Sequence, residues 1–170
     1  MTDIALVLLP DGTGADIAIV NGDILLDDGL DTAVLWSLLP WRKADPGDPV
    51  PEGIGPGGWW GDAFLPPLPD GTPDYYGSKL YQYTNCAATQ ESANGIMAAI
   101  SQALNWMLLD NVAAAINVTG IWQSAVSFAT NIEIDWNAPG GAVVPKVYNY
   151  LWNTTLGLLP APSSAPLGST

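Results

Sequence analysis

The sequence predicts an α+β domain: an N-terminal antiparallel meander, two main helices separated by a long Pro/Gly-rich loop, and C-terminal antiparallel strands packed on the longer helix. Three observations lead there. Residues 3–26 hold apolar stretches broken by turn signals, Ala93 to Leu108 repeats apolar residues at helical spacing, and residues 115–136 alternate with a period of two. A chain of 170 residues is one ordinary domain's worth. Residues 1–155 are therefore read as a single domain carrying an insertion loop at 44–74, and 156–170, which has no period, as an extended C-terminal tail.

Asp3-Ile4-Ala5-Leu6-Val7-Leu8-Leu9 reads as the first strand and Pro10-Asp11-Gly12-Thr13-Gly14 as a turn. Ala15 to Val20 is the second strand, and Asn21-Gly22 is a strong tight-turn signal before the short strand Ile24-Leu25-Leu26. The period then changes, because Leu30, Val34 and Leu38, with Ala33 and Leu35, fall at helical spacing up to Pro40. Asp27 or Asp28 can accept the free N–H groups of the first turn, and Asp31 places favourable charge there. A calcium loop would also use several aspartates, but the spacing is wrong and the glutamate at its twelfth position is missing.

Between 44 and 74 lie eight prolines and seven glycines, which forbid regular structure over most of the stretch. Ile54, Trp59, Trp60, Phe64 and Leu65 argue that the loop is pinned rather than free. Adjacent tryptophans are costly to leave in water, so Trp59 and Trp60 must be covered by their own domain or by another chain. From Thr89, a plausible N-cap, Ala93, Ile96, Met97, Ile100, Leu104, Met107 and Leu108 form one apolar stripe, read as core. Its opposite face, with Asn94, Ala98, Ser101, Gln102 and Asn105, is polar but nearly uncharged. Residues 115–119, 125–129 and 132–136 read as three strands, and Asn137 to Gly141 as a turn. Val143 to Trp152 follows as an edge strand, or strand then short helix, because Pro145 cannot donate to a central ladder.

The net charge of −13 comes from 17 acids against Arg42, Lys43, Lys79 and Lys146, so no cationic stripe exists to neutralise phosphates and direct nucleic-acid binding is not expected. No apolar run is long enough for membrane insertion, and synthesis in a cytoplasm is expected. Thirteen of the acids lie in residues 1–74, leaving only six charged side chains from 75 to 170. A surface so poor in charge is suited to being covered. Catalytic signals are sparse: the chain has no histidine, and its one cysteine, Cys86, is read as a small core residue with no zinc partners. Of the carboxylate pairs, Glu91 and Asp110 would stand roughly 28 Å apart if both bracket one helix. Glu133 and Asp135 stand about 7 Å apart on one strand face, which solvation explains more simply than glycosidase chemistry. No catalytic residue, cofactor or metal is assigned.

Taken in order, several fragments resemble a known family. They are Asp3-Ile4-Ala5-Leu6, the run from Asp27 to Val34, Gly58-Trp59-Trp60-Gly61-Asp62, Gly77-Ser78-Lys79-Leu80-Tyr81 and the alanine-rich helix to Trp106. Over roughly residues 1–136 the chain resembles the Mu-type bacteriophage baseplate wedge proteins, relatives of the T-even sheath-initiator, or lysozyme-like wedge, proteins. The Trp-Trp-Gly-Asp segment followed by Gly-Ser-basic-Leu is the most specific part, while the proline insertions at 44–56 and 65–74, the low basic content and the bare tail depart from the pattern. The resemblance implies a structural component of a contractile phage tail baseplate, linking wedge subunits to the start of the sheath and doing no chemistry. Other wedge subunits, the tail sheath and central spike or tube proteins would be its partners, in six-fold assembly. Its place would be the virion, after assembly in the host cytoplasm.

The same resemblance marks Trp59, Trp60, Gly61, Asp62, Gly77, Ser78, Lys79 and Leu80 as structural and contact residues, with Asp62 expected to cap a turn or pair with Lys79. The edge strand adds Val147, Tyr148, Tyr150 and Trp152, where a sheath arm would join as a further strand. Two other classes compete: a cell-wall glycan hydrolase working through Glu133 and Asp135, and a free acidic binding module.

Overall fold

Asn21 and Gly22 take left-handed φ angles of 54° and 81°, as a two-residue hairpin turn requires, and fold Ile19–Val20 back on Asp23–Ile24. The computed structural model describes residues 3–161 apart from 28, 69 and 70. Its N-terminal unit holds β1 (Asp3–Ile4), β2 (Leu6–Leu8), β3 (Ala15–Ile17), β4 (Ile19–Val20), β5 (Asp23–Ile24) and β6 (Leu26–Asp27). The expected meander is present with a feature that periodicity does not reveal. Each of its three strands changes partner at its middle residue, so β1 pairs with β6, β2 with β3 and β4 with β5. A ring of backbone bonds closes the centre: Ala5 N to Leu25 O at 2.9 Å, Leu25 N to Ala18 O at 2.8 Å, and Ala18 N to Ala5 O at 2.9 Å. The result is a three-armed ribbon.

Asp27 supplies the expected start of α1 (Asp31–Leu38), accepting Gly29 N and Thr32 N at 2.8 Å each. Val34, Leu35 and Leu38 of this helix enter the core. Thr89 opens α2 (Gln90–Leu104) reciprocally: its hydroxyl accepts Ser92 N, and the Ser92 hydroxyl accepts Thr89 N. After a break at Asn105, α3 (Trp106–Leu109) carries the stripe to buried Met107, while Leu108 turns to solvent. The Trp106 indole donates to Ser37 Oγ at 3.0 Å, tying α3 back to α1.

Behind the helices lie β7 (Ala113–Trp122), β8 (Ser127–Asn137), β9 (Val143–Asn153) and β10 (Gly157–Pro160), all antiparallel in the order β10-β9-β8-β7. Phe128, Ile132 and Ile134 of β8, with Tyr148 and Trp152 of β9, join Ile96, Ile100 and Leu104 in one core. The other sheet face, including Glu133 and Val147, is open.

Four expectations are corrected. The strands expected at 125–129 and 132–136 are one continuous strand, since Thr130 turns inward onto Tyr150 O and Asn131 turns outward onto Asn149 without interrupting the ladder. Residues 143–152 form an edge strand only in part: Val143–Asn149, with Pro145, have β8 on one side alone, whereas β10 covers the other side from Tyr150 on. The tail does not begin at 156: Asn153 Oδ1 accepts Thr155 N and Leu156 N at 2.9 and 3.0 Å, Gly157 takes φ 98°, and Gly157–Pro160 returns along Tyr150–Asn153. Residues 162–170 of the expected tail lie outside the described residues. Cys86, finally, is half-buried and not a member of the core, and burial raises its thiol pKa.

Candidate functional site

The two fragments singled out in the sequence come together along one seam. Trp41 and Ser78 form a parallel bridge, in which Ser78 N donates to Pro40 O at 2.8 Å and Arg42 N to Ser78 O at 2.9 Å. Ser78 is buried, and its hydroxyl donates to Leu38 O at 2.6 Å, fastening the seam to the end of α1. Gly77 is dictated by this approach. It takes φ 96°, and a Cβ there would stand 2.4 Å from Pro40 O. Leu80 and Tyr81 follow in a short 3₁₀ turn, both buried, with the Tyr81 ring stacked on Trp41 at 5.1 Å.

The long loop is pinned to this seam mainly by polar contacts. Gly58 N donates to Trp41 O, Ala44 N to Pro56 O, and the Tyr81 hydroxyl to Pro56 O at 3.0 Å. Lys79 reaches Asp45 at 2.6 Å and Asp48 at 2.5 Å, and Gln82 also donates to Asp48. The hydrogen bond from Lys79 is the first cause holding the Asp48 carboxyl below its ordinary range. For Lys79, desolvation opposes the charge, but its bonds to Asp45 and Asp48 outweigh it and raise the pKa. Of the two roles expected for Asp62, the structure assigns the cap. Its carboxylate accepts Trp59 N at 2.9 Å and Tyr76 N at 3.2 Å, while Lys79 goes to the other two aspartates.

The tryptophans divide in role. Trp59 lies against Gly61, where a Cβ would meet its ring at 2.1 Å, and its ring centroid is 5.8 Å from that of Tyr76. Trp60 is 79% exposed, and Phe64, also 79% exposed, meets it edge-on at 6.3 Å. Trp59, Trp60, Phe64 and Leu65 thus line a shallow apolar depression on the surface. Of the two coverings open to the pair, the chain's own body covers part of Trp59 and leaves Trp60 in water. Phe64, grouped in the sequence with the tryptophans as a residue that pins the loop, instead stands out beside Trp60.

On the sheet, Tyr148 and Trp152 face inward and belong to the core, Tyr150 is half-buried, and Val147 stands out to solvent. The Tyr148 hydroxyl donates to Asp31 at 3.0 Å. Desolvation first, and then the Asp31 charge, raise its pKa far above the ordinary value. The four residues named on this strand therefore do not form one contact surface. Two lengths of backbone edge do lie open among the described residues: the outer side of β7, and the Val143–Asn149 part of β9 beyond the reach of β10. Pro145, opposite Asp135, lies in that second length.

A cleft of about 570 Å³ runs between the 9–14 turn, the end of α1 and the 152–158 turn, with Trp36, Trp41, Ile54 and Leu156 in its walls. Tyr81 is its one titratable lining residue. Glu133 and Asp135 are elsewhere, exposed on the open sheet face, where Glu133 accepts from Asn117.

A family model described as Phage protein GP46 matches residues 30–142, from the start of α1 to the start of β9. The chain is 30% identical over 155 residues to the baseplate protein gp46 of Escherichia phage Mu, covering 90% of this chain and 99% of the relative. It is 28% identical over 153 residues to the Mu-like prophage FluMu protein gp46 of Haemophilus influenzae, with the same coverage of both chains.

Proposed function

Because this chain belongs to the phage protein GP46 family, we propose that it is a structural component of a phage tail baseplate and acts there by presenting surfaces to neighbouring subunits. The observation that carries this is the near end-to-end match to a protein named for the baseplate. The site fits such work: a rigid seam at Trp41–Ser78 holds up an aromatic projection, Trp60 and Phe64, that its own domain leaves uncovered. A projection of this kind gains from burial against a partner without any change in the fold beneath it.

Within that role the protein links wedge subunits to the start of a contractile sheath, in six-fold arrangement around a central spike or tube. Trp59, Trp60 and Phe64 contact a neighbouring wedge subunit. A sheath arm adds as a strand along β7 or along Val143–Asn149, making directional backbone bonds at an edge that carries little charge. The protein assembles in the host cytoplasm and works in the virion without chemistry of its own.

The test is assembly. Expressed with its neighbouring tail gene products, the wild-type protein is expected in a wedge or ring visible by electron microscopy, and Trp60→Ser is expected to remain folded but fail to join it. Wild-type protein absent from purified tails would refute the baseplate role. Full incorporation of Trp60→Ser would refute the aromatic contact alone.

A further inference from the structure

The three-armed ribbon at the N-terminus has two chemically different faces. Strand registers place Leu6 opposite Ile17, Ile4 opposite Leu26 and Ile19 opposite Ile24, and side chains alternate along each strand. One face is therefore wholly aliphatic. Its Leu8 end is buried against α1 and joins the main core. Away from that end, Ile4, Ile17, Ile19, Ile24 and Leu26 are 41%, 43%, 67%, 48% and 60% exposed. Five large aliphatic side chains left together on an open face mark a contact surface rather than scattered surface residues.

The opposite face carries Asp3, Asp16, Asp23 and Asp27 among Val7, Val20 and Leu25. Asp3, Asp16 and Asp23 each accept the N–H of the following residue, and the ion pairs among the described residues all involve Lys79. Before Arg42 the chain has no lysine or arginine. The aliphatic face is thus backed, on the reverse of the same thin ribbon, by acids that no lysine or arginine of their own segment neutralises.

We infer that this ribbon is a docking arm whose aliphatic face is covered, in the assembled particle, by an apolar surface rimmed with lysine or arginine on a different protein chain. A second copy of this chain is the wrong occupant. It would bring the same acids and a net charge of −13 to the contact, and like charges facing across an interface oppose it. The arm lies apart from the aromatic projection, and its exposed end at Ile19–Ile24 is a hairpin stiffened by its Asn21–Gly22 turn. It can enter a partner's groove with little ordering cost.

This inference rests on the baseplate reading, and one set of particles tests the two separately. Tails are assembled with the photocrosslinker p-benzoylphenylalanine in place of Ile19, and in a control in place of Ala98 on α2, then irradiated and mapped by mass spectrometry. The expected result is an adduct from position 19 to a single different tail protein, at an apolar segment next to lysine or arginine. The yield should fall at least ten-fold when Asp16→Asn and Asp23→Asn are combined, or when assembly is carried out at high salt. Ile19→Asp with Ile24→Asp should lower incorporation at least ten-fold while the purified variant keeps the wild-type circular dichroism spectrum. Should that variant not fold, Ile19→Thr with Ile24→Thr, which keeps branched strand formers at both positions, gives the same reading. Wild-type protein present in tails with no adduct from position 19, an adduct to another copy of this chain, or an adduct to an acidic surface would overturn the docking arm and leave the baseplate role standing. Wild-type protein absent from tails would overturn both.

Discussion

Lys79→Met tests whether the long loop is held by charge. The cation bridges Asp45 at 2.6 Å and Asp48 at 2.5 Å, with the lysine side chain 13% exposed, Asp48 25% and Asp45 49%. Methionine keeps most of the aliphatic stem, so the loss is nearly all electrostatic. An exposed pair contributes under about 1 kcal/mol, and a half-buried lysine with two carboxylates is placed at about 2 kcal/mol. For a chain of this size that corresponds to a fall in Tm of roughly 4–8 °C. The pH dependence follows from the two pKa directions. Asp48 titrates below its ordinary 3.8, so its contribution is complete above that value and is lost as pH falls through the lower folded pKa. Lys79 titrates above its ordinary 10.5, so its contribution is complete below that value and is lost as pH rises through the higher folded pKa.

The difference between wild type and Lys79→Met should therefore be flat from about pH 5 to 9 and shrink toward about pH 3. Thermal unfolding across that range measures it, and limited proteolysis between 44 and 58 reports whether the loop itself is released. Equal Tm values at pH 7, or a gap of the same size at pH 3, would refute the account.

Gly77→Ala should cost about 3 kcal/mol, because it combines positive φ with a Cβ 2.4 Å from the Pro40 carbonyl; urea unfolding measures it. Asn153→Ala removes two side-chain bonds from the β9–β10 turn, for about 1–2 kcal/mol, and should speed amide exchange at Leu158 and Leu159 more than at Ile132. Trp60→Ser should leave stability within about 0.5 kcal/mol, since its ring is mostly in water. A larger loss by differential scanning calorimetry would mean that the ring packs on its own domain.

What the sequence discloses about this fold is local. Asn21–Gly22, the Asp27 cap, the Thr89 cap and the apolar stripe of α2 are each decided within a few residues, and each is found where expected. The misses come from contacts between distant residues. Nothing near Val143 says that Gly157–Pro160 will return beside its far half; the clue was the Asn153 side chain organising a turn toward Gly157, a weaker signal than Asn-Gly. At the site, the Trp-Trp-Gly-Asp and Gly-Ser-Lys-Leu fragments were legible as a unit, but their division of labour was not. Whether Lys79 meets Asp62 or Asp45 and Asp48 depends on how the 44–74 loop lies across the seam, and the exposure of Trp60 depends on what the body fails to cover.

The distribution of these surfaces separates stability from contact. The main core lies between the helices and one face of the four-stranded sheet, and it draws on Ile96, Ile100, Leu104, Phe128 and Ile132, all fully buried. The aromatic projection, the aliphatic face of the ribbon and the open edge of β7 lie outside that core, and each is supported by backbone bonds rather than by its own burial. Substituting their exposed side chains therefore removes little folding energy, whereas in an assembly the same side chains would exchange water for a neighbour. On the four-stranded sheet the charges are Glu133, Asp135 and Lys146, too few to repel a covering chain. On the baseplate reading, the shortage of charge after residue 75 would suit surfaces that neighbours cover, and the acids concentrated before it, outside the ion pairs of Lys79, would oppose association of the uncovered ribbon with its own kind.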